Sequence, residues 1–193
     1  MLEEAVQVIR DLLAGQQVTR KGKYYAVQTA RLYSVPHEPP PIYMSGFGEK
    51  AISVAARIGD GYLTVQPSAE SIRVFREAGG ADKPAQGGLK VCWGPDADAA
   101  RKTMHRLWRT DEIPGETAQL LPLPRHFEQL ADLISPDQIS APCGPDPQIH
   151  LDGIRAYTEA GFDQVYIGQV GQDQEGFFEF YAGEVLPRLR AEG

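Results

Sequence analysis

The residues with the most to offer chemically lie in the run Ser45-Gly46-Phe47-Gly48-Glu49-Lys50-Ala51. It follows the short apolar stretch Pro41-Ile42-Tyr43-Met44 and opens a helical pattern at Glu49. A strand that turns through two glycines into a helix offers an anion two things: backbone N–H groups at close range and the positive end of the helix. Lys50 adds a charge beside them. The pattern lacks the full G-x-G-x-x-G spacing, so on the residues alone a phosphate cradle and a plain tight turn both stay open. Three other apolar stretches end in Val65-Gln66-Pro67-Ser68, Trp93-Gly94 and Gly168-Gln169. Strand C-termini are where β/α proteins gather their ligands. Val65, Gln66, Ser68, Trp93 and Gln169 are therefore the candidate substrate-lining residues, with core filling as the competing role for Trp93.

The remaining reactive types are arranged for no chemistry of their own. The four histidines, His37, His105, His126 and His150, are scattered, with no i, i+4 pair and no ligand-like motif, so no metal site is expected. Ser45 is not in a G-x-S-x-G elbow, and no catalytic nucleophile stands out.

The elements that must position these residues follow one grammar. Leu2, Ala5, Val6, Ile9, Leu12 and Leu13 recur at helical spacing and Gly15 closes the helix. A helix that begins at Met1 with no N-cap and no strand before it implies sequence missing upstream. Residues 17–35 read as a hairpin excursion around Lys21-Gly22, with Val18-Thr19-Arg20 and Tyr24-Tyr25-Ala26-Val27 as its arms. Four strand-then-helix units come next: Ile42–Ser45 with Glu49–Ile58, Gly61–Val65 with Ala69–Ala78, Leu89–Trp93 with Asp96–Trp108, and Gln164–Gln169 with Gly176–Arg190. An irregular region, Asp111 to Arg125, and helices His126–Ile134 and Pro147–Ala160 fill the gap before the last unit. Asp173 and Glu175 fit the cap of the final helix, and Phe177, Phe178, Phe180 and Tyr181 its buried stripe. The junctions Ile58-Gly59-Asp60-Gly61-Tyr62 and Ala160-Gly161-Phe162-Asp163-Gln164 echo each other, as successive parallel β/α units do. The fold class is α/β, with a barrel and a doubly wound sheet both open at this point; four strands cannot close an eight-stranded (β/α)8 barrel. A half barrel leaves two open edges and an uncovered face.

The 193 residues, 42% hydrophobic, suffice for one domain with a core. A net charge of −7 with no basic run longer than two residues argues against nucleic acid or an acidic membrane face as partner. No apolar run approaches the roughly 20 residues a bilayer requires. Cys92 and Cys143 lack both C-x-x-C spacing and the density of a disulfide scaffold, which points to free thiols and a cytoplasmic location.

Taken together, Pro41 to Ala51, Ala55-Ala-Arg-Ile-Gly-Asp-Gly-Tyr62, Lys90-Val-Cys-Trp93, Pro142-Cys-Gly-Pro-Asp-Pro147 and Gln172-Asp-Gln-Glu-Gly-Phe-Phe178 resemble the luciferase-like flavin and deazaflavin oxidoreductases. The likeness is to the branch of coenzyme F420-dependent glucose-6-phosphate dehydrogenase, and it covers essentially the whole chain. It implies a TIM barrel and hydride transfer between the deazaflavin and a substrate carbon. Residues 1–193 would then be the C-terminal half of one barrel domain, from the helix after strand four, with the family's catalytic histidine, aspartate and acidic proton donor in the absent half. No catalytic residue transfers to this chain. The cofactor phosphate site does, with Phe47 and Gly48 at the backbone-amide positions and Lys50 and Ala51 following. The substrate-phosphate lysines and arginine of those dehydrogenases fall on Ser68, Ala118 and Pro142. A phosphate buried without cations is strongly disfavoured, which implies a small non-phosphorylated substrate instead. Two other readings stay open: an FMN-dependent luciferase-like monooxygenase, and a non-catalytic half barrel that closes as a homodimer or against a separate N-terminal half. The chain by itself is expected to lack turnover.

Overall fold

The computed structural model describes residues 1–192, and they divide into two compact units. The first holds Met1–Gly87 with Glu159–Gln164, the second Gly88–Thr158 with Val165 onward.

In the first unit, helix α1 (Leu2–Leu13) starts without a side-chain cap and buries only Val6. Its apolar stripe is narrower than the periodicity suggests, since Leu2 and Ile9 are exposed. Strands β1 (Val18–Lys21) and β2 (Ala26–Ala30) form the expected hairpin, paired antiparallel from Val18↔Ala30 to Lys21↔Ala26. Tyr24 and Tyr25 belong to its turn, not to a strand as expected. The Glu4 carboxylate accepts the backbone N–H of Lys23 and of Tyr24, each at 3.0 Å, which takes those donors away from the ladder. These bonds, Tyr24 first, hold the Glu4 carboxyl below its ordinary range.

The parallel sheet has the order β3-β4-β5-β6. Strand β3 (Tyr43–Met44) is shorter than expected and is followed by α2 (Glu49–Ile58), β4 (Gly61–Thr64), α3 (Ala69–Phe75) with a π turn at Arg76–Gly80, and β5 (Ala85–Val91). Register runs Tyr43↔Gly61 and Met44↔Tyr62, then Tyr62↔Ala85 and Thr64↔Gly87. Strand β5 begins four residues before the expected Leu89. Ala85-Gln86-Gly87-Gly88 are poor strand formers, and side chains from beyond the local sequence satisfy them. Gln86 donates to Gln164 (2.6 Å), and the Asp163 carboxylate accepts from the Ala85 N–H (2.7 Å) and from Arg76 (2.8 Å).

In the second unit, Asp96 caps α4 (Ala97–Trp108) by accepting the Ala99 N–H at 2.7 Å. A 3-10 turn (Arg109–Glu112), α5 (Thr117–Leu120), α6 (Pro124–Ala131) and a second 3-10 turn (Pro136–Gln138) occupy the stretch that has no strand. Helix α6 starts two residues early because Pro124 suits the first helical turn, where a missing N–H costs nothing. Helix α7 (Pro147–Glu159) leads to β6 (Gln164–Gln169). After it, α8 (Gln174–Phe180), a π turn (Tyr181–Val185) and α9 (Leu186–Glu192) form one interrupted helix. Asp173 caps α8 through the Gly176 N–H (2.9 Å). The core of this unit is Val91, Leu151, Ile154, Phe177, Tyr181 and Val185. Phe178, expected in the buried stripe, is 66% exposed, because 177 and 181 are one turn apart and 178 is rotated off their face. Cys92 and Cys143 are buried free thiols on a parallel bridge, packed with Ala100, Met104 and Ile139.

Candidate functional site

The turn after β3 gathers Ser45, Gly46, Phe47, Gly48, Lys50 and Ala51 in one place, with Lys50 and Ala51 in the first turn of α2. Gly48 is the N-cap, with extended backbone (φ −100°, ψ 152°) and no side chain to bond the helix amides. The first backbone bond of the helix is Ile52 N–H to the Gly48 carbonyl, 3.0 Å, so the amides before Ile52 have no acceptor inside α2. The two glycines serve different ends. A Cβ on Gly46 would lie 2.8 Å from the Ala51 Cβ and 2.9 Å from the Ala51 carbonyl carbon, so Gly46 is what lets the turn fold against the helix. A Cβ on Gly48 would meet nothing within 4 Å, so the approach to the helix end is open. This is a cradle that suits a phosphate: uncapped amides, a helix dipole and an open face.

Tyr62, on β4, supports the turn from below. It is fully buried, its hydroxyl donates to the Gly46 carbonyl at 2.7 Å, and its ring stacks on Phe75 with centroids 5.2 Å apart. Burial pushes its phenol pKa up, keeping the donor proton in place. Sequence reasoning saw Tyr62 only as the aromatic of a repeated helix-to-strand junction. Nothing local announces a bond across 16 residues.

At the end of β4, Val65 is exposed, and Gln66 and Ser68 make a tight turn through the Ser68 N–H to the Gln66 carbonyl, 2.9 Å. Ser68 caps α3, its hydroxyl oxygen accepting from the N–H and the hydroxyl of Ser71, each at 3.1 Å. In the second unit, Trp93 and Gln169 are brought together. The Gln169 side chain accepts the Trp93 N–H at 2.8 Å and donates to the Trp93 carbonyl at 3.0 Å, standing in for one more rung of sheet. The Trp93 ring stacks on Phe180, and its indole N–H is buried with no acceptor among the described residues. Nearby, His150 is fully buried. A carbonyl can only accept, so Nε2–H donates to the Gly144 oxygen (3.0 Å) and Nδ1 accepts from the Tyr181 hydroxyl (2.9 Å). Burial lowers the His150 pKa and holds the ring neutral. Ala118 lies in α5, and the Pro142 carbonyl accepts the Cys92 N–H at 2.9 Å.

The first unit also has a cleft of about 400 Å³ lined by Arg10, Leu13, Pro39–Pro41, Ile42 and Asp60. It lies before β3, whereas the glycine turn lies after it, and none of the candidate site residues line it. Asp60 there accepts from Arg10 (2.5 Å) and from the Ile42 N–H (2.8 Å). Among the described residues no three His, Cys, Asp or Glu side chains group as metal ligands, and no helix is long and apolar enough to cross a membrane.

Comparison with known proteins settles the affiliation. The family model described as luciferase-like monooxygenase matches residues 1–164. This chain belongs to the luciferase-like monooxygenase family. Within that family, the F420-dependent glucose-6-phosphate dehydrogenases of Microbacterium testaceum and Nakamurella multipartita are each 30% identical to it over 98% of its length. The chain spans about 60% of the length of each of these relatives. Among solved structures, an F420-dependent secondary alcohol dehydrogenase in complex with an F420-acetone adduct superposes with a TM-score of 0.81 at 26% identity, over 97% of this chain and 60% of that one. The coenzyme F420 dependent tetrahydromethanopterin reductase from Methanopyrus kandleri, 20% identical, shares the fold with a TM-score of 0.70 over 97% of this chain and 62% of that one. The α/β luciferase-like fold expected from the sequence is therefore present, as part of a barrel.

Proposed function

We propose that residues 1–193 form the later part of one luciferase-like barrel domain whose complete polypeptide is an F420-dependent oxidoreductase. The observation that carries this reading is the uncapped, open helix end at Ser45–Ala51, in a chain whose relatives of 30% identity are named for F420. F420 is a phosphodiester, and its phosphate would lie against the amides of Phe47 and Gly48 with Lys50 alongside. The bound deazaflavin supplies hydride chemistry. The chain's own contribution is to bind and orient: the 45–51 turn fixes the phosphate end, Val65, Gln66 and Ser68 are the substrate-lining candidates of the first unit, and Trp93 and Gln169, each taken within its own unit, are those of the second.

The substrate in this reading is a small molecule without a phosphate. Ser68 carries no charge and its hydroxyl oxygen is engaged in capping α3; Ala118 and Pro142 are likewise neutral. A neutral alcohol, ketone or enone suits residues of this kind, and glucose 6-phosphate does not. The partner is the N-terminal half of the barrel, which would cover the open strand edges. The buried free thiols of Cys92 and Cys143 support a reducing, cytoplasmic setting. The test is turnover by the complete polypeptide with F420, followed by deazaflavin absorbance. Reduction of F420 by secondary alcohols but not by glucose 6-phosphate is the expected result. Turnover of the sugar phosphate, or activity with FMN and oxygen alone, would overturn it.

A further inference from the structure

We infer that Tyr62 is the positioning residue of the phosphate turn, acting through the Gly46 carbonyl on the Phe47 amide. The inference rests on the phosphate reading of residues 45–51 and adds to it the device that keeps the cradle in its binding form.

A trans peptide is planar, with the C=O of one residue and the N–H of the next pointing in opposite directions. Fixing the Gly46 carbonyl therefore fixes the Phe47 N–H, directed away from Tyr62. The Tyr62 hydroxyl holds that carbonyl at 2.7 Å from a fully buried position. The ring is itself immobile, stacked on Phe75 (centroids 5.2 Å, 25° between planes) and carried by β4, which pairs with both β3 and β5. Without this bond the Gly46–Phe47 peptide has a glycine on one side and only an exposed Phe47 on the other, and its plane is free to rotate. Rotation would turn a carbonyl oxygen toward the phosphate in place of an amide. The tyrosine hydroxyl thus contributes to cofactor affinity from beneath the site, without touching the cofactor.

Tyr62→Phe keeps the ring and its stacking and removes only the donor. The affinity of the wild-type chain and of Tyr62→Phe would be measured by fluorescence for F420 and for the deazaflavin nucleoside that lacks the phosphodiester. The wild type should prefer F420 by tenfold or more. The variant should lose about fivefold toward F420, the weight of one hydrogen bond, and nothing toward the nucleoside. A wild type that does not distinguish the two ligands would remove the phosphate reading and this inference with it. A wild type that does, with a variant that keeps the same preference or loses both ligands equally, would overturn the role of Tyr62 alone. Should Tyr62→Phe fail to fold, the wild-type Phe47 amide resonance carries the test. It should shift on addition of F420 and stay put with the nucleoside; the absence of that difference overturns the inference.

Discussion

Gly46 and Gly48 look alike in the sequence, two residues apart in one turn, and the structure gives them opposite tolerances. In Gly46→Ala the new methyl would sit 2.8 Å from the Ala51 Cβ, 2.9 Å from the Ala51 carbonyl carbon and 3.1 Å from the Ile52 nitrogen. Carbon atoms rest about 3.5–4.0 Å apart, so the overlap with Ala51 is close to 1 Å, and two of the three obstacles are backbone that no rotamer change can move aside. Overpacking of this kind costs about 1–3 kcal/mol, and here the relief must come from lifting the turn off α2. In Gly48→Ala the methyl enters open space at a residue with φ −100°, a conformation alanine adopts freely. Alanine is a poorer N-cap than glycine by about 0.5–1 kcal/mol, but it restricts the unfolded chain by about 0.4–1 kcal/mol, so the net change is near zero. Urea unfolding of the two variants beside wild type measures both numbers on one scale. Gly46→Ala should lose at least 1 kcal/mol while Gly48→Ala stays within about 0.5 kcal/mol of wild type. Equal losses, or a greater loss in Gly48→Ala, would refute the packing argument for the turn.

Gln169→Leu removes both bonds to the Trp93 backbone and should cost about 1–3 kcal/mol, with a shift in tryptophan emission; urea unfolding followed by fluorescence reads both. His150 is neutral in the fold with its pKa depressed by burial, so its contribution to stability is complete above about pH 6.5 and is lost as the pH falls below that toward its folded pKa. The thermal midpoint should therefore drop between pH 7 and pH 5, and His150→Gln should flatten that slope; an unchanged slope contradicts the assignment. Glu4, its pKa lowered by the hairpin amides, should release the hairpin as the pH falls below its ordinary value, seen as faster exchange of the Lys23 and Tyr24 amides, and Glu4→Gln should show that release already at neutral pH.

What the sequence made legible was whatever local periodicity and local chemistry control. The helices from Glu49, Ala69 and Pro147 begin where their patterns begin, and Asp96 and Asp173 sit at helix starts as capping residues do. The glycine turn was legible because a strand, two glycines and a helix lie next to each other in the chain. The early start of β5 was not, since Gln86 and Ala85 are held by Gln164 and Asp163, 78 residues away. The Gln169 clamp on Trp93 is hidden by a separation of 76 residues, and the Tyr62 bond to Gly46, across 16, by the lack of any local signal for it. The exposure of Phe178 was missed for a different reason: four aromatics within five residues cannot all occupy one face of a helix with 3.6 residues per turn.

We propose above all that this chain holds the phosphate end of a deazaflavin cofactor. The most direct measurement of this is a parallel titration of the chain with F420, by deazaflavin fluorescence, and with FMN, by flavin fluorescence. Saturable binding of F420 at least tenfold tighter than any binding of FMN is expected, with a weakened F420 affinity in Gly46→Ala. FMN bound as tightly as F420, or F420 bound equally well by Gly46→Ala, would contradict the proposal.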